Sequence, residues 1–326
     1  MSTGVDPILD VDLLRFETGD GPARRAVVDG VMRSLATGFV FTSHDLGEGL
    51  LDDAYGMLAA FFECSPAEKA RYVTPGSHGQ TGYTGLLVET AATAAHADWK
   101  EMLNWGSPLP TGHPLRRRYP HRYLDPVFPE ASVPGIGETL ARLHEQLAAL
   151  QHRFLRIIAL GIGVAEDFFD RLVQHGPTLT RAVHYPAMDL APGREHVWAA
   201  AHGDINLLTA LPRATARGLQ VLTGQGWIDA VPPTGRVVIN SGMMLEQLTN
   251  GVIPTGMHRV VAGADQPDER YSVVQFCHPT PWTVLAPLAS CVSPHRPQRF
   301  GAISAGDRLD EVLWEINLLE ADADQP

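Results

Sequence analysis

The stretch AAHGDINLLTALP, residues 200–212, places a histidine and an aspartate one residue apart, directly before an apolar run. Residues i and i+2 of an extended strand point to the same face, so His202 and Asp204 can present an imidazole and a carboxylate to one point. A third ligand is available in GMHRVVAG, where His258 opens another β-rich run. Two imidazoles and one carboxylate form the facial triad that holds non-haem Fe(II) with open coordination positions. We therefore predict a metal site at His202, Asp204 and His258.

A second pair of residues supports this interpretation of the triplet. The chain has 14 histidines, and an H-x-D triplet alone also occurs on surfaces that bind no metal. In RYSVVQF, however, Arg270 and Ser272 form another i, i+2 pair after His258. A guanidinium binds a carboxylate bidentately, and a hydroxyl adds a further hydrogen bond, so the pair is suited to an anionic co-substrate. A structural arginine beside an unrelated serine is the alternative.

Composition excludes several classes of protein. The 326 residues carry a formal net charge of -12 at pH 7, with a sequence pI near 5.6, which argues against a general nucleic-acid binder or a protein of anionic membranes. The three cysteines have no metal-site spacing and indicate a reducing compartment. Neither a signal peptide nor a long apolar run is present, so we predict a cytoplasmic protein that does not span a membrane. The oligomeric state stays open, and a monomer is compatible with the sequence.

The pattern along the chain indicates one domain, residues 1–326, in three parts. Residues 1–177 are predicted to be helical and rich in loops, with the strongest helical pattern over residues 137–159. Residues 178–282 contain short β-rich runs separated by turns, as in an antiparallel sandwich or barrel, and include the metal site. Residues 283–326 form a tail in which DRLDEVLWEINLLE predicts an amphipathic helix that closes over the substrate as a lid.

Together these motifs resemble the 2-oxoglutarate/Fe(II)-dependent dioxygenase superfamily, specifically its isopenicillin N synthase-like branch. The family pattern H-x-D…H…R-x-S is matched by His202, Asp204, His258, Arg270 and Ser272. The stretch GLQVLTGQGWIDAVPPTGRVVINSGMMLEQLTNG, with Asn240, is similar to the family segment between the aspartate and the distal histidine. GFVFTSHDL and DWKEMLNWG resemble upstream family segments. The resemblance covers nearly the whole chain and implies a mainly β fold, with a double-stranded β-helix, or jelly roll, core flanked by N-terminal helices and a C-terminal helix.

The resemblance also implies ligand-binding roles for individual residues. His202, Asp204 and His258 are expected to hold Fe(II), and Arg270 and Ser272 to bind the distal carboxylate of 2-oxoglutarate. A further residue, Tyr185 in VHYPAM, matches a family tyrosine near the co-substrate, although a buried structural tyrosine is the alternative. The chain departs from the pattern at Val183, where many members have asparagine.

Substrate contacts are expected from two further segments. The segment GQTGYTGLLVET, around Tyr83, resembles the loop that borders the substrate. Phe276 lies on the same strand face as Ser272 and is expected to form a wall of the pocket, with an ordinary core aromatic as the alternative. Lys100 and Glu101 are either substrate contacts or locally paired charges.

The function that the resemblance implies is the oxidation of a small molecule by an Fe(II) enzyme that uses 2-oxoglutarate and O2 and releases succinate and CO2. Hydroxylation, desaturation and cyclisation are all compatible with it, and specialised metabolism is the expected setting. One alternative is an iron oxidase of the same branch that takes its electrons from the substrate alone. The other is a non-catalytic or Zn(II)-binding jelly-roll protein, since two histidines and a carboxylate also bind zinc.

Overall fold

Nine α-helices lie within the described residues of this computed structural model, which are 8–91, 94–263 and 268–315. They are α1 (Leu13–Thr18), α2 (Gly21–Ser34), α3 (Glu48–Phe62), α4 (Pro66–Lys69), α5 (Pro114–Arg118), α6 (Ile136–Gly161), α7 (Asp170–Val173), α8 (Met243–Leu248) and α9 (Ala305–Glu315). Asp12 and Asp20 begin α1 and α2, because each carboxylate accepts a hydrogen bond from a backbone N–H of the first turn. None of the helices in these ranges is long and apolar enough to cross a membrane.

Fourteen strands within the same ranges form two larger sheets and a small one. The strands are β1 (Asp10–Val11), β2 (Phe39–Thr42), β3 (Gly82–Thr84), β4 (Glu101–Gly106), β5 (Leu179–Tyr185), β6 (Ala199–His202), β7 (Leu208–Leu211), β8 (Leu219–Thr223), β9 (Gly226–Asp229), β10 (Val237–Ser241), β11 (His258–Val260), β12 (Arg270–Cys277), β13 (Val284–Leu285) and β14 (Ile303–Ser304). The large sheet has the order β1-β2-β10-β7-β12-β5-β4-β3, and the second has the order β6-β11-β8-β9. Apart from the parallel pair of β1 and β2, all of these pairs are antiparallel. The fold is a jelly-roll core with flanking helices, as predicted.

The long helix α6 supports the outer face of the large sheet. Its buried positions include the leucines 140, 143, 147, 150 and 155 that carry the helical pattern of the sequence. The helix contacts α2 and α3 on one side and β7 and β12 on the other. A polar contact fixes its position on the sheet, because Gln151 donates hydrogen bonds to the backbone and side-chain carbonyls of Gln275 on β12. Truncating a buried leucine of this face should cost about 2–5 kcal/mol of stability.

The part of the chain before residue 178 also contributes strands to the jelly roll. It supplies four strands, β1 to β4, to the large sheet, where β4 pairs with β5 along its whole length. Strand β4 is buried at five of its six residues, so it lacks the alternation of apolar and polar residues that identifies a half-exposed strand. The predicted C-terminal helix is present as α9, and its predicted continuation beyond Glu315 lies outside the described residues.

Candidate active site

The three predicted metal ligands meet where the second sheet begins. His202 ends β6, and His258 begins β11 directly opposite it in the antiparallel register. Asp204 follows two residues after the end of β6, so it lies on the loop that leaves the strand rather than on the strand itself. One ligand atom from each of the three side chains lies within 4.8 Å of the others. The imidazole Nε2 of His202 is 4.0 Å from Oδ1 of Asp204.

A close backbone approach positions His258. Gly256, two residues before it, packs against Gly38 at the start of β2, where a Cβ on Gly38 would lie 2.4 Å from the Gly256 Cα. Gly38 also has φ +79°, a conformation that favours glycine. Glycine at both positions therefore allows the segment before β11 to pack on the large sheet, with the ring of Phe39 edge-on to His258.

Backbone carbonyls fix the tautomer of both histidines. Nδ1 of His202 lies 2.8 Å from the carbonyl oxygen of Ala200, and Nδ1 of His258 lies 3.0 Å from that of Gly256. A carbonyl only accepts hydrogen bonds, so each Nδ1 carries the proton and each Nε2 has a free lone pair. Burial, together with the neighbouring His258, lowers the pKa of His202 to about 4. Both imidazoles therefore have Nε2 as the nitrogen that is left for a metal.

The carboxylate of Asp204 is oriented by two donors. Its Oδ2 accepts hydrogen bonds from Thr209 Oγ1 at 2.6 Å and from Asn240 Nδ2 at 2.8 Å, which leaves Oδ1 toward the histidines. Burial alone would raise the pKa of Asp204, but the two histidines and these two donors outweigh burial and lower it. The carboxylate is thus ionised and held in one orientation. Two imidazoles that offer Nε2 and one oriented carboxylate suit a divalent metal such as Fe(II).

On one side of the triad lies the inner cavity, enclosed between the two sheets and lined by Met102, Val183, Tyr185, Arg270 and Ser272 among others. Arg270 is 1% exposed and donates hydrogen bonds to the Ala216 carbonyl at 3.2 Å and to Ser272 Oγ at 3.0 Å. Its guanidinium lies 5.0 Å from the centroid of the Tyr185 ring. Within the described residues no carboxylate pairs with Arg270, and burial lowers the pKa of its guanidinium. A buried, unpaired cation of this kind is suited to an anionic ligand.

On the other side of the triad lies the outer cavity, lined by Leu179, Met243, Met257, Leu309 and Leu313 among others. The two cavities meet at five shared residues: Lys100, Arg181, His202, Asp204 and Phe276. Phe276 thus lies at the predicted wall. Tyr83 does not lie there: it lines neither cavity and donates a hydrogen bond to Glu101.

The charges predicted near the substrate separate in the structure. Lys100 lines both cavities, whereas Glu101 lines neither and pairs with Lys69 at 2.7 Å. Sequence reasoning missed Glu89 and Arg181, which form an ion pair on the wall of the outer cavity. A signal for Arg181 was present, because it alternates on β5 with Val183 and Tyr185, which face the inner cavity. Glu89 belongs to the segment around Tyr83, so that segment reaches the cavity through a different residue.

Two protein-family models match the chain. Residues 7–130 match the N-terminal model of non-haem dioxygenases in morphine synthesis, and residues 177–279 match the 2OG-Fe(II) oxygenase superfamily. These models cover the N-terminal part and the jelly-roll core, respectively, and the second contains all five residues of the predicted H-x-D…H…R-x-S pattern.

Relatives and solved structures agree with these matches. The chain is 30% identical to the 2-oxoglutarate-dependent dioxygenase frbJ of Dothideomycetidae sp. (strain 11243), over 85% of this chain and 74% of that protein. It is 29% identical to kihadalactone A synthase LFS of Citrus sinensis, over 87% and 85% of the two chains. A crystal structure described as a 2OG-Fe(II) oxygenase family protein from Caulobacter crescentus is 33% identical, covers 95% of this chain and 99% of its own, and superimposes with a TM-score of 0.83.

Proposed function

This chain belongs to the 2-oxoglutarate–Fe(II) oxygenase superfamily, and on that premise we propose that it oxidises a small molecule at the centre formed by His202, Asp204 and His258. Members of the superfamily are enzymes that use Fe(II), 2-oxoglutarate and O2. The observation that carries the proposal is the inner cavity, whose lining includes the three candidate ligands and the buried Arg270, which pairs with no carboxylate of the described residues. The relative named for kihadalactone A synthesis supports a setting in specialised metabolism.

The metal supplies the redox chemistry. Fe(II) bound by His202, Asp204 and His258 would supply the chemistry that couples formation of succinate and CO2 from 2-oxoglutarate and O2 to oxidation of the substrate. His202 and His258 each offer Nε2 to the metal because their Nδ1 protons are bound by backbone carbonyls. Thr209 and Asn240 keep the carboxylate of Asp204 turned toward the same point. Such supporting contacts typically change metal affinity by about 10–100-fold when removed.

The inner cavity binds the co-substrate in this proposal. Arg270 and Ser272 receive its distal carboxylate, since the guanidinium and the hydroxyl lie next to each other on the inward face of β12. Tyr185 lies beside the guanidinium and completes the polar end of the cavity. Val183, where many family members have asparagine, leaves an apolar surface on β5.

The outer cavity binds the substrate. Phe276 separates it from the inner cavity beside the metal ligands, and Leu309, Val312 and Leu313 of α9 cover it from the opposite side. This apolar cover excludes water from the reacting atoms, which favours oxidation of the substrate over side reactions. We also propose that the chain works as one domain, because β4 of the N-terminal part pairs with β5 of the jelly roll.

An anaerobic titration tests the function. Fe(II)-loaded protein is titrated with 2-oxoglutarate while the weak visible metal-to-ligand charge-transfer band of a chelated 2-oxo acid is followed. We expect the band in the wild type, its loss or a large shift to higher concentration in Arg270→Ala, and no change in Arg213→Ala, whose side chain forms surface ion pairs with Glu48 and Asp52. Fe(II) binding without a band would contradict the 2-oxoglutarate dependence, and no Fe(II) binding would contradict the triad.

A further inference from the structure

Four charged side chains on the wall of the outer cavity are paired with one another. Glu89 accepts hydrogen bonds from Lys100 at 3.1 Å and from Arg181 at 3.2 Å. Asp98 accepts from Lys100 at 2.8 Å and from the backbone N–H of Ala200 at 2.9 Å. The most exposed of these four side chains is only 14% accessible. The network is therefore buried, and its two cations and two carboxylates balance.

The ionised state of the network follows from these contacts. Burial opposes ionisation of Glu89, but the charges of Arg181 and Lys100 outweigh it and lower the pKa of Glu89 to about 2. Burial likewise opposes the charge of Lys100, but Glu89 and Asp98 raise its pKa above the usual range. Apart from the candidate metal ligands His202 and Asp204, one further titratable residue among those described, His278, lines the cavity. Burial lowers the pKa of His278 to about 3, so that it is neutral near pH 7.

In the proposed function, the charges of the metal centre also balance when Fe(II) and 2-oxoglutarate are bound. The two positive charges of Fe(II) and the one of Arg270 equal the single negative charge of Asp204 and the two of 2-oxoglutarate. The charged network and the loaded metal centre are thus each neutral overall. A charged substrate bound between them would bring one unpaired charge into a buried space. The desolvation of such a charge is unfavourable when no partner compensates it.

The rest of the cavity surface indicates a ligand that has an apolar body and one polar edge. The apolar part of the surface is formed by two methionines, Met243 and Met257, and by the three α9 side chains that line the cavity, Leu309, Val312 and Leu313. The centroid of the Phe276 ring lies 5.5 Å from the guanidinium of Arg181. At the polar end, a carboxylate that accepts hydrogen bonds lies next to a guanidinium that donates them. An amide or lactam edge, which donates and accepts side by side, matches that pair.

We infer that the outer cavity takes an uncharged small molecule with an apolar body and an amide-type edge, and that Glu89 and Arg181 select it by hydrogen bonding to that edge. This inference rests on the proposed function, since it takes the outer cavity to be the substrate site. Glu89 and Arg181 are thus specificity-determining residues rather than ligands of the metal. Removing either charge should change which charge the site prefers, because the partner charge is then left unbalanced.

The test is a binding panel of small ring compounds matched in size: amides and lactams such as benzamide, carboxylates such as benzoate, and ammonium compounds such as benzylammonium. Dissociation constants are measured by anaerobic calorimetry on the protein loaded with Fe(II) and 2-oxoglutarate. In the wild type we expect the amides to bind at least about tenfold tighter than both charged sets, a difference of about 1.4 kcal/mol. Glu89→Gln should improve the carboxylates relative to the ammonium compounds by a similar factor, and Arg181→Gln should do the reverse.

A matched control is available on the opposite side of β4. Glu101→Gln also removes one carboxylate from a buried lysine pair, but Glu101 lines neither cavity and should leave the ranking unchanged. Thermal unfolding shows whether each variant is folded. If Arg181→Gln is not, Glu89→Gln still tests the inference because its expected shift has the opposite sign.

The inference is overturned if a charged set binds best to the wild type, if no amide binds, or if the Glu89 variant keeps the wild-type ranking. Failure of the proposed function is a separate result, since it appears as the absence of the charge-transfer band with 2-oxoglutarate. In that case the panel is repeated on the protein without co-substrate, where the Glu89–Arg181 pair is still present on the cavity wall.

Discussion

The two cavities that meet at the metal ligands contain buried cations in opposite situations. In the inner cavity, Arg270 has hydrogen bonds to a carbonyl and a hydroxyl but no carboxylate partner within the described residues. Lys100 and Arg181 line both cavities, but each is paired with an acid of the outer cavity wall, Glu89 or Asp98. A cation without an acid attracts an anionic ligand, whereas a balanced network does not. The difference supports the proposals that the inner side of the centre binds the dianionic co-substrate and that the outer side binds an uncharged molecule.

The largest expected effect is at the centre that both cavities share. Asp204→Ala should abolish iron-dependent turnover, because it removes the one anionic ligand of the triad. His258→Ala should do the same. Thr209→Val is the graded comparison: it keeps the ligand and removes one orienting hydrogen bond, so metal affinity should fall by about 10–100-fold. Iron content and succinate formation are measured for each variant, and wild-type values for Asp204→Ala would contradict the triad.

The next effect separates the inner cavity from the outer one. Arg270→Ala should raise the 2-oxoglutarate concentration needed for half-maximal turnover by roughly 100-fold, about 3 kcal/mol, because the co-substrate loses its charge-assisted contacts. Turnover at saturating 2-oxoglutarate should recover in part. Succinate is measured against 2-oxoglutarate concentration, and an unchanged curve would show that Arg270 binds something other than the co-substrate.

The free energy of unfolding of the ligand-free protein compares the paired Lys100 with Arg270 most directly. Lys100→Met should lower the free energy of unfolding by about 4 kcal/mol, because Glu89 and Asp98 lose a shared buried partner. Arg270→Met should leave that free energy unchanged or raise it, because no carboxylate in the part of the chain that the structure describes depends on Arg270. Urea unfolding of the metal-free protein without 2-oxoglutarate measures both values. Equal losses in the two variants would remove the distinction between the cavities.

Acid should destabilise the network of the outer cavity in a defined range of pH. The pKa of Glu89 is lowered to about 2 in the folded chain, from 4.5, so its contribution to stability is present above pH 4.5 and is lost as the pH falls toward 2. The full contribution is about 3 kcal/mol, and Glu89→Gln lacks it. The difference in unfolding free energy between wild type and Glu89→Gln should therefore shrink across that range. A constant difference would show that Glu89 has an ordinary pKa.

How far the sequence predicted the site differs between the two cavities for a physical reason. The Arg270–Ser272 pair is recognisable because its spacing follows the strand period of β12. The triad is recognisable from its fixed order along the chain, although Asp204 lies on the loop after β6 and not on the strand. The Glu89–Arg181 pair joins a loop to β5 across 92 residues, so no local pattern records it. Strands β1 and β3 are two and three residues long, too short for any periodicity, and β4 is buried on both faces. Tyr83 illustrates the same limit, since its segment borders the cavity while its own side chain contacts Glu101.

The smallest effect concerns the apolar cover of the outer cavity. The inner cavity is enclosed by sheets, whereas the outer one is closed by α9, whose Leu309, Val312 and Leu313 line it and whose Asp310 pairs with Arg122. Leu313→Ala should weaken binding of a neutral amide probe by about tenfold, because the probe loses apolar contact worth about 1.5 kcal/mol, while 2-oxoglutarate binding stays unchanged. Trp314→Ala is the control, since that side chain is on the same helix but 60% exposed. If Leu313→Ala weakened both ligands equally, α9 would support the whole centre and would not act as a cover of the outer cavity alone.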